Sequence, residues 1–261
     1  MRRAALAACA IGALVAGMVA AAPGSRSEEA DSSSTFGALP RMVKPAFVPG
    51  PARTLGTTRY IARYAPVLRP VIARAAPAAG AAAVTTVAAK TPEDTTNIVE
   101  VLDRRRDAAG RLWVKAGLAT LPNGRTGWLP RSALGGYGSV DTHLVVDLER
   151  LTATLTKAGQ VVLRARVGVG QPGLPTPRGE FYVRNRLTRF AGLTYGPLAF
   201  GTSARSAHLT DWPGGGFIGI HGTDQPQLIP GRISHGCIRM RNPDIVALAK
   251  LMPVGTPLTI R

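Results

Sequence analysis

Leu163, Ala165, Val167 and Val169 alternate with Arg164 and Arg166. Successive side chains on a strand point to opposite faces, so a strand puts those four apolar residues on one side and both arginines on the other. A helix would scatter them. The pattern makes this stretch a half-buried strand, and its neighbours read the same way. Leu144-Val145-Val146-Asp147-Leu148 and Leu151 to Thr156 are strand candidates, joined to Leu163 through the turn Lys157-Ala158-Gly159-Gln160. Phe181-Tyr182-Val183, Phe217-Ile218-Gly219-Ile220 and Pro257-Leu258-Thr259-Ile260 add further strands. The chain carries 30 Gly and 21 Pro, which favours many strands and turns over long helices. A single helix is readable. Asn242 is placed to cap it, Pro243 to begin it and Asp244 to suit its dipole. Ile245, Leu248, Ala249 and Met252 then give it one apolar face, and Pro253 and Gly255 end it. The expectation is a largely antiparallel, mainly β domain over residues 140–261 with one or two short helices.

Upstream, the chain divides into three. Arg2 and Arg3 precede an apolar run from Ala4 to Ala22, followed by Pro23-Gly24-Ser25. That is the layout of a secretory signal over residues 1–22, or of a retained N-terminal anchor. Leu6-Ala7-Ala8-Cys9 has the look of a lipidation box but sits very early in the run. Residues 23–90 show no sustained period and are rich in Pro, Ala and Arg, so a disordered basic linker is expected. Residues 91–136 read as a small β module. Ile98 to Leu102 and Leu112 to Ala116 are its strands, Asp107 to Gly110 is a turn, and Pro122-Asn123-Gly124 is a hairpin turn. The run from Trp113 through Gly127-Trp128-Leu129-Pro130 resembles bacterial SH3-like modules.

A formal net charge of +17 draws the chain to polyanions. The sequence has no recognition helix, aromatic RNA-binding signature or zinc-finger spacing, so no nucleic-acid partner is expected. Anionic cell-wall polymers fit the charge, and a membrane does only if the N-terminal segment is retained. With residues 1–22 removed, one cysteine remains, and no internal disulfide can form. The expected location is extracytoplasmic: cell wall or periplasm.

That cysteine lies in Ser234-His235-Gly236-Cys237-Ile238-Arg239, and Ile220-His221-Gly222-Thr223 precedes it. A thiol attacks acyl groups as thiolate, and a nearby imidazole can take its proton. Gly236 beside the cysteine lets a carbonyl approach and leaves amide N–H groups for a developing oxyanion. Three other readings stay open on the residues alone. Cys237 could be a small core residue, the histidines could be satisfied core groups, or His221, His235 and Cys237 could hold zinc, though without an obvious fourth ligand.

The two segments resemble the signature of the L,D-transpeptidase catalytic family: a histidine, a gap, then Ser/Thr-His-Gly-Cys, an apolar residue and Asn or Arg. Thr176-Pro177-Arg178-Gly179-Glu180-Phe181, which also fits a type I turn, resembles that family's Thr-Pro-x-Gly-x-Phe motif. The resemblance implies a β-sandwich-like fold with a long capping loop within Leu187 to Gly216. It implies Cys237 as nucleophile, His221 as base with the Gly222 carbonyl holding the other ring nitrogen, and an oxyanion hole from the N–H groups of Gly236 and Cys237 with His235. Ser234 and His235 shape the loop, Arg239 meets a substrate carboxylate or supports the loop, and Tyr195 and Trp212 are candidates for substrate contact. The implied activity is peptidoglycan crosslinking between stem peptides through a Cys237 thioester, with no cofactor and no metal. The implied alternatives are a carboxypeptidase on the same thiol and a non-catalytic wall-binding protein.

Overall fold

The structure is a computed structural model that describes residues 60–188, 194–209 and 215–261. The N-terminal signal or anchor, Cys9, the first part of the expected linker and Trp212 lie outside the described residues.

The described chain is built from two sheets. The first has seven strands: β1 (Ala62–Pro66), β2 (Val71–Arg74), β3 (Ala83–Val87), β4 (Ile98–Arg106), β5 (Leu112–Gly117), β6 (Thr126–Pro130) and β7 (Gly138–Val140). Their spatial order is β3-β2-β6-β5-β4-β1-β7, and every pairing is antiparallel. The linker expectation is corrected here. Residues 62–87 form three strands, and Ala65, Val67, Ala73 and Val87 are core residues beside Val99, Val101, Val114 and Leu129. A strand built on Ala and Arg offers little periodic contrast, so the segment reads as polar coil until its partners are known. The module expected over 91–136 is therefore part of a larger sheet.

The second sheet has nine strands: β8 (Thr142–Asp147), β9 (Thr152–Lys157), β10 (Gln160–Gly170), β11 (Gly179–Leu187), β12 (Ala199–Arg205), β13 (Phe217–His221), β14 (Gly231–Ser234), β15 (Ile238–Met240) and β16 (Pro257–Ile260). The order is β14-β10-β15-β13-β12-β11-β16-β8-β9, and β10 also pairs with β9. One half of β10 pairs with β9 and the other with β14 and β15, so the sheet curls and closes on itself. Ala165, Val167 and Val169 of β10 point inward, as their period demands. Three pairings are parallel: β10 with β14, β13 with β15, and β16 with β8. The expected capping loop over 187–216 is interrupted by β12, which pairs with β11 and β13. Helix α1 (Asn242–Leu251) buries Ile245, Leu248 and Ala249 against this core.

The two sheets meet through buried polar contacts. Tyr182 Oη donates to the Ile98 carbonyl at 3.2 Å. The Asn185 Nδ2 amide faces Thr91 Oγ1, Glu93 Oε2 and Thr95 Oγ1, the nearest at 2.9 Å. Asn123, in the β5–β6 hairpin, both donates to and accepts from the Arg205 backbone. The hairpin turn expected from Asn123-Gly124 thus also clamps the end of β12.

Candidate active site

β13 and β15 run parallel with Ile220 opposite Ile238 and His221 opposite Arg239. Alternation then sorts the side chains. Ile218, Ile220, Ile238 and Met240 go down into the core. Gly219, His221, Arg239 and Cys237, one residue before β15, share the upper face. Burying each large aliphatic residue is worth about 1.5–3 kcal/mol, and that fixes the register which sets the reactive groups side by side. Gly219 separates them. Its N–H donates to Cys237 Sγ at 3.4 Å. A Cβ added there would lie 3.8 Å from Sγ and 3.9 Å from His221 Cδ2. Sulfur and ring therefore flank one small space that the missing side chain keeps open.

The loop carrying Cys237 is held from beneath. Ser234 Oγ donates to the Cys237 carbonyl at 2.6 Å and accepts from the Gly236 N–H at 3.2 Å. Gly236 sits at φ +112, a conformation that side chains rarely adopt. Thr176 Oγ1, buried, donates to the Gly236 carbonyl at 2.8 Å and accepts from the Gly170 N–H at 2.9 Å. Residues 176–178 carry no assigned turn, and the threonine is instead drawn into this bridge. The Gly236 N–H expected at an oxyanion is already committed to Ser234. In a trans peptide N–H and C=O point opposite ways, so Thr176, by fixing the Gly236 carbonyl, also fixes the direction of the Cys237 N–H.

His221 is buried, and its Nδ1 lies 2.6 Å from the Gly222 carbonyl. A carbonyl only accepts, so Nδ1 carries the proton and Nε2 is the free base. Gly222 has no room for a Cβ, which would strike Asn242 Oδ1 and crowd Gly196 and Pro197. Asn242 Oδ1 accepts from the Thr223 N–H at 2.9 Å. It is therefore not the helix cap expected from sequence; Arg241 occupies that position, and no side chain caps the helix. The Tyr195 ring meets the His221 ring at 5.0 Å in an edge-on arrangement.

Burial pushes the His221 imidazole down to about 4; the Gly222 hydrogen bond opposes that shift, and the nearby Arg239 charge adds to it. Burial also raises the Cys237 thiol, against the Gly219 N–H and Arg239, which lower it. Both shifts favour the neutral forms, thiol and imidazole, over an ion pair.

The upper face opens into a groove of about 280 Å³ whose lining includes Tyr195, Phe217, His221, His235, Cys237 and Arg239. His235 is exposed. Arg239 Nε is buried with no hydrogen-bond partner. Among the described residues no three His, Cys, Asp or Glu side chains are grouped to hold a metal ion, so the zinc reading of His221, His235 and Cys237 finds no support.

Residues 141–260 match the family described as the L,D-transpeptidase catalytic domain, YkuD. The chain is 36% identical over 122 residues to the Bacillus subtilis protein named as L,D-transpeptidase YkuD, covering 47% of this chain and 67% of that one. This chain belongs to the L,D-transpeptidase family. A Bacillus licheniformis protein of the same name is 34% identical over 122 residues, again covering 47% of this chain and 67% of the relative. Among solved structures, the catalytic domain of an Enterococcus faecium L,D-transpeptidase is 32% identical, with 46% of this chain and 97% of that one covered and a TM-score of 0.35. A crystal structure of a mutant E. faecium L,D-transpeptidase is 27% identical, covers 46% of this chain and 49% of that one, and has a TM-score of 0.37. This chain thus spans about half of that longer protein.

Three contributors at this L,D-transpeptidase site were not legible as such. Gly219 looked like an ordinary strand residue, Thr176 carried a motif without a role, and Asn242 looked like a cap. Their signal is a partner in space, and sequence spacing does not report it.

Proposed function

We propose that the chain is a peptidoglycan L,D-transpeptidase acting outside the cytoplasm, with Cys237 as nucleophile and His221 as base. The observation that carries this reading is the parallel pairing of β13 with β15, which sets thiol and imidazole on one face beside an open groove. Cys237 Sγ attacks the carbonyl after the third residue of a tetrapeptide stem, and its proton passes to His221 Nε2. The Cys237 N–H meets the developing oxyanion. His221 returns the proton to the departing amine, terminal D-Ala leaves and a thioester remains. An acceptor-stem amine then attacks that thioester, His221 takes the amine's proton, and the thiol is regenerated as the crosslink forms.

Arg239 suits a substrate carboxylate, since its buried Nε has a hydrogen bond still to give. Tyr195 orients the His221 ring by edge contact. The net charge of +17 and the apolar run behind Arg2 and Arg3 support a location at the anionic wall.

The test is incubation with disaccharide-tetrapeptide and mass spectrometry of the products. Crosslinked dimer is expected, with more than about a 10³-fold loss in Cys237→Ala. Full activity in that variant rejects the mechanism. Release of D-Ala with no dimer, even with excess acceptor amine, makes the protein a carboxypeptidase instead.

A further inference from the structure

Along β13 the side chains of Phe217 and His221 fall on the same face as Gly219, because alternate residues of a strand share a face. The space beside Cys237 Sγ lies over Gly219, and the His221 ring bounds it on one side. Phe217 stands one repeat the other way, about 6–7 Å along the strand. Its ring is half-buried and lines the active-site groove. The groove has a base on one side of the sulfur and an aromatic wall on the other.

Two arginines hold that wall. The Arg184 guanidinium lies 3.7 Å from the Phe217 ring centre and the Arg205 guanidinium 4.9 Å from it. A cation over an aromatic ring is attracted to it, so each restricts where the ring can go. Both guanidinium groups are themselves anchored. Arg184 Nε donates to the Thr202 carbonyl at 2.8 Å, and Glu93 Oε1 lies 3.6 Å from its Nη2. Arg205 donates from Nε and Nη2 to the Gly215 carbonyl, and its backbone pairs with Phe217 across β12 and β13. Asn123 then grips the Arg205 backbone: its Nδ2 donates to the carbonyl at 2.8 Å, and its Oδ1 accepts the N–H at 3.0 Å. Asn123 joins β5 to β6, and Glu93 lies between β3 and β4. The seven-stranded sheet therefore reaches the groove's aromatic wall by two separate routes.

The proposed reaction sets which part of the donor meets this wall. His221 returns a proton to the departing amine, so terminal D-Ala leaves on the His221 side of the sulfur. The residues before the attacked carbonyl extend the other way, toward Phe217. An extended chain spans at most about 3.3–3.6 Å per residue, so two residues cover the distance to the ring.

We infer that Phe217 is a specificity-determining residue that packs against the aliphatic part of the donor stem before the attacked carbonyl, held in place from the seven-stranded sheet by Asn123. The inference rests on the proposed reaction for the direction of the stem. Asn123 touches no substrate and is a positioning residue.

Donor binding is measured by NMR titration of the full chain carrying Cys237→Ala, with disaccharide-tetrapeptide and then with disaccharide-tripeptide, which lacks the terminal D-Ala. Adding Phe217→Ala weakens both ligands about tenfold, the low end for an apolar contact in a pocket. Phe217→Leu recovers most of that loss, because an aliphatic side chain keeps the contact. Asn123→Ala weakens both on the order of threefold, within the worth of one hydrogen bond. With Cys237 restored, Asn123→Ala leaves the rate of Cys237 alkylation by iodoacetamide unchanged, which a general loosening of the fold would not. No binding of either ligand, unchanged binding in Phe217→Ala, a loss confined to the tetrapeptide, or an alkylation rate that changes in step with binding each overturn the inference. Crosslinking by the native chain with unchanged binding in Phe217→Ala defeats the inference and leaves the reaction standing. Binding of both ligands that depends on Phe217, without turnover by the native chain, supports the inference and defeats the reaction.

Discussion

The two sheets bury apolar side chains alike and polar ones very differently. The seven-stranded sheet has a core of Ala, Val and Leu, and Thr91 is its one fully buried polar side chain among the described residues. In the nine-stranded sheet Thr176, Arg184, Asn185, Thr202, His221, Thr223 and Ser234 are all buried. A buried polar group destabilises a fold unless it is hydrogen-bonded, so it persists where position matters more than packing. The difference falls on the sheet that carries Cys237 and His221, where polar side chains are held in fixed positions.

Substitutions should break the two regions in different ways. The largest effect is expected from His221→Gln, which removes the proposed base and leaves the core intact. Crosslinking kcat/KM should fall by about 10²–10⁴, the usual worth of a positioned general base. A fall below tenfold would remove His221 from the reaction.

The pH profile sharpens the same point. With the imidazole at about 4, the base is lost only below that pH, so the acid limb of kcat/KM lies near 4 instead of near 6.5. On the alkaline side, burial lifts the thiol above its ordinary value, so alkylation by iodoacetamide should accelerate only above the usual thiol range. An inflection near pH 6 in either measurement would signal a pre-formed ion pair.

Asn242→Ala removes the acceptor of the Thr223 N–H and the wall behind Gly222. We expect kcat to drop roughly tenfold with thermal stability changed by no more than about 1 kcal/mol, the scale of one hydrogen bond. A loss of stability with unchanged turnover would make Asn242 merely structural.

The smallest effect belongs to the first sheet. Burial raises the Glu100 carboxyl to about 7, with the Glu180 charge adding to the shift. The folded state then holds a proton that the unfolded chain has released between pH 4.5 and 7, so this group's stabilising contribution is full below that window and is lost as pH rises through it. Glu100→Gln should stabilise the protein by about 1–3 kcal/mol at pH 8 and by little at pH 4, read from urea midpoints, while crosslinking rates stay the same.

The strands from Thr142 to Gly170 were legible because alternation over a buried face is written into neighbouring residues. The helix was legible for the same reason, while its cap was not: Asn before Pro favours a cap locally, and a backbone N–H from another loop outbid the helix for that oxygen. β1 to β3 escaped notice because short strands rich in Ala and Arg carry little contrast between faces.

By itself the sequence determined the chemistry available, a thiol, an imidazole and their glycine neighbours, together with the strand period that surrounds them. Only the tertiary structure decided that β13 and β15 run parallel and in register, that the Gly236 N–H is spent on Ser234, and that Arg184 and Arg205 are brought against Phe217. Periodicity is a property of adjacent residues, whereas strand pairing and hydrogen-bond partnership join residues far apart in the chain, where packing of the whole core selects among partners that local sequence treats as equal.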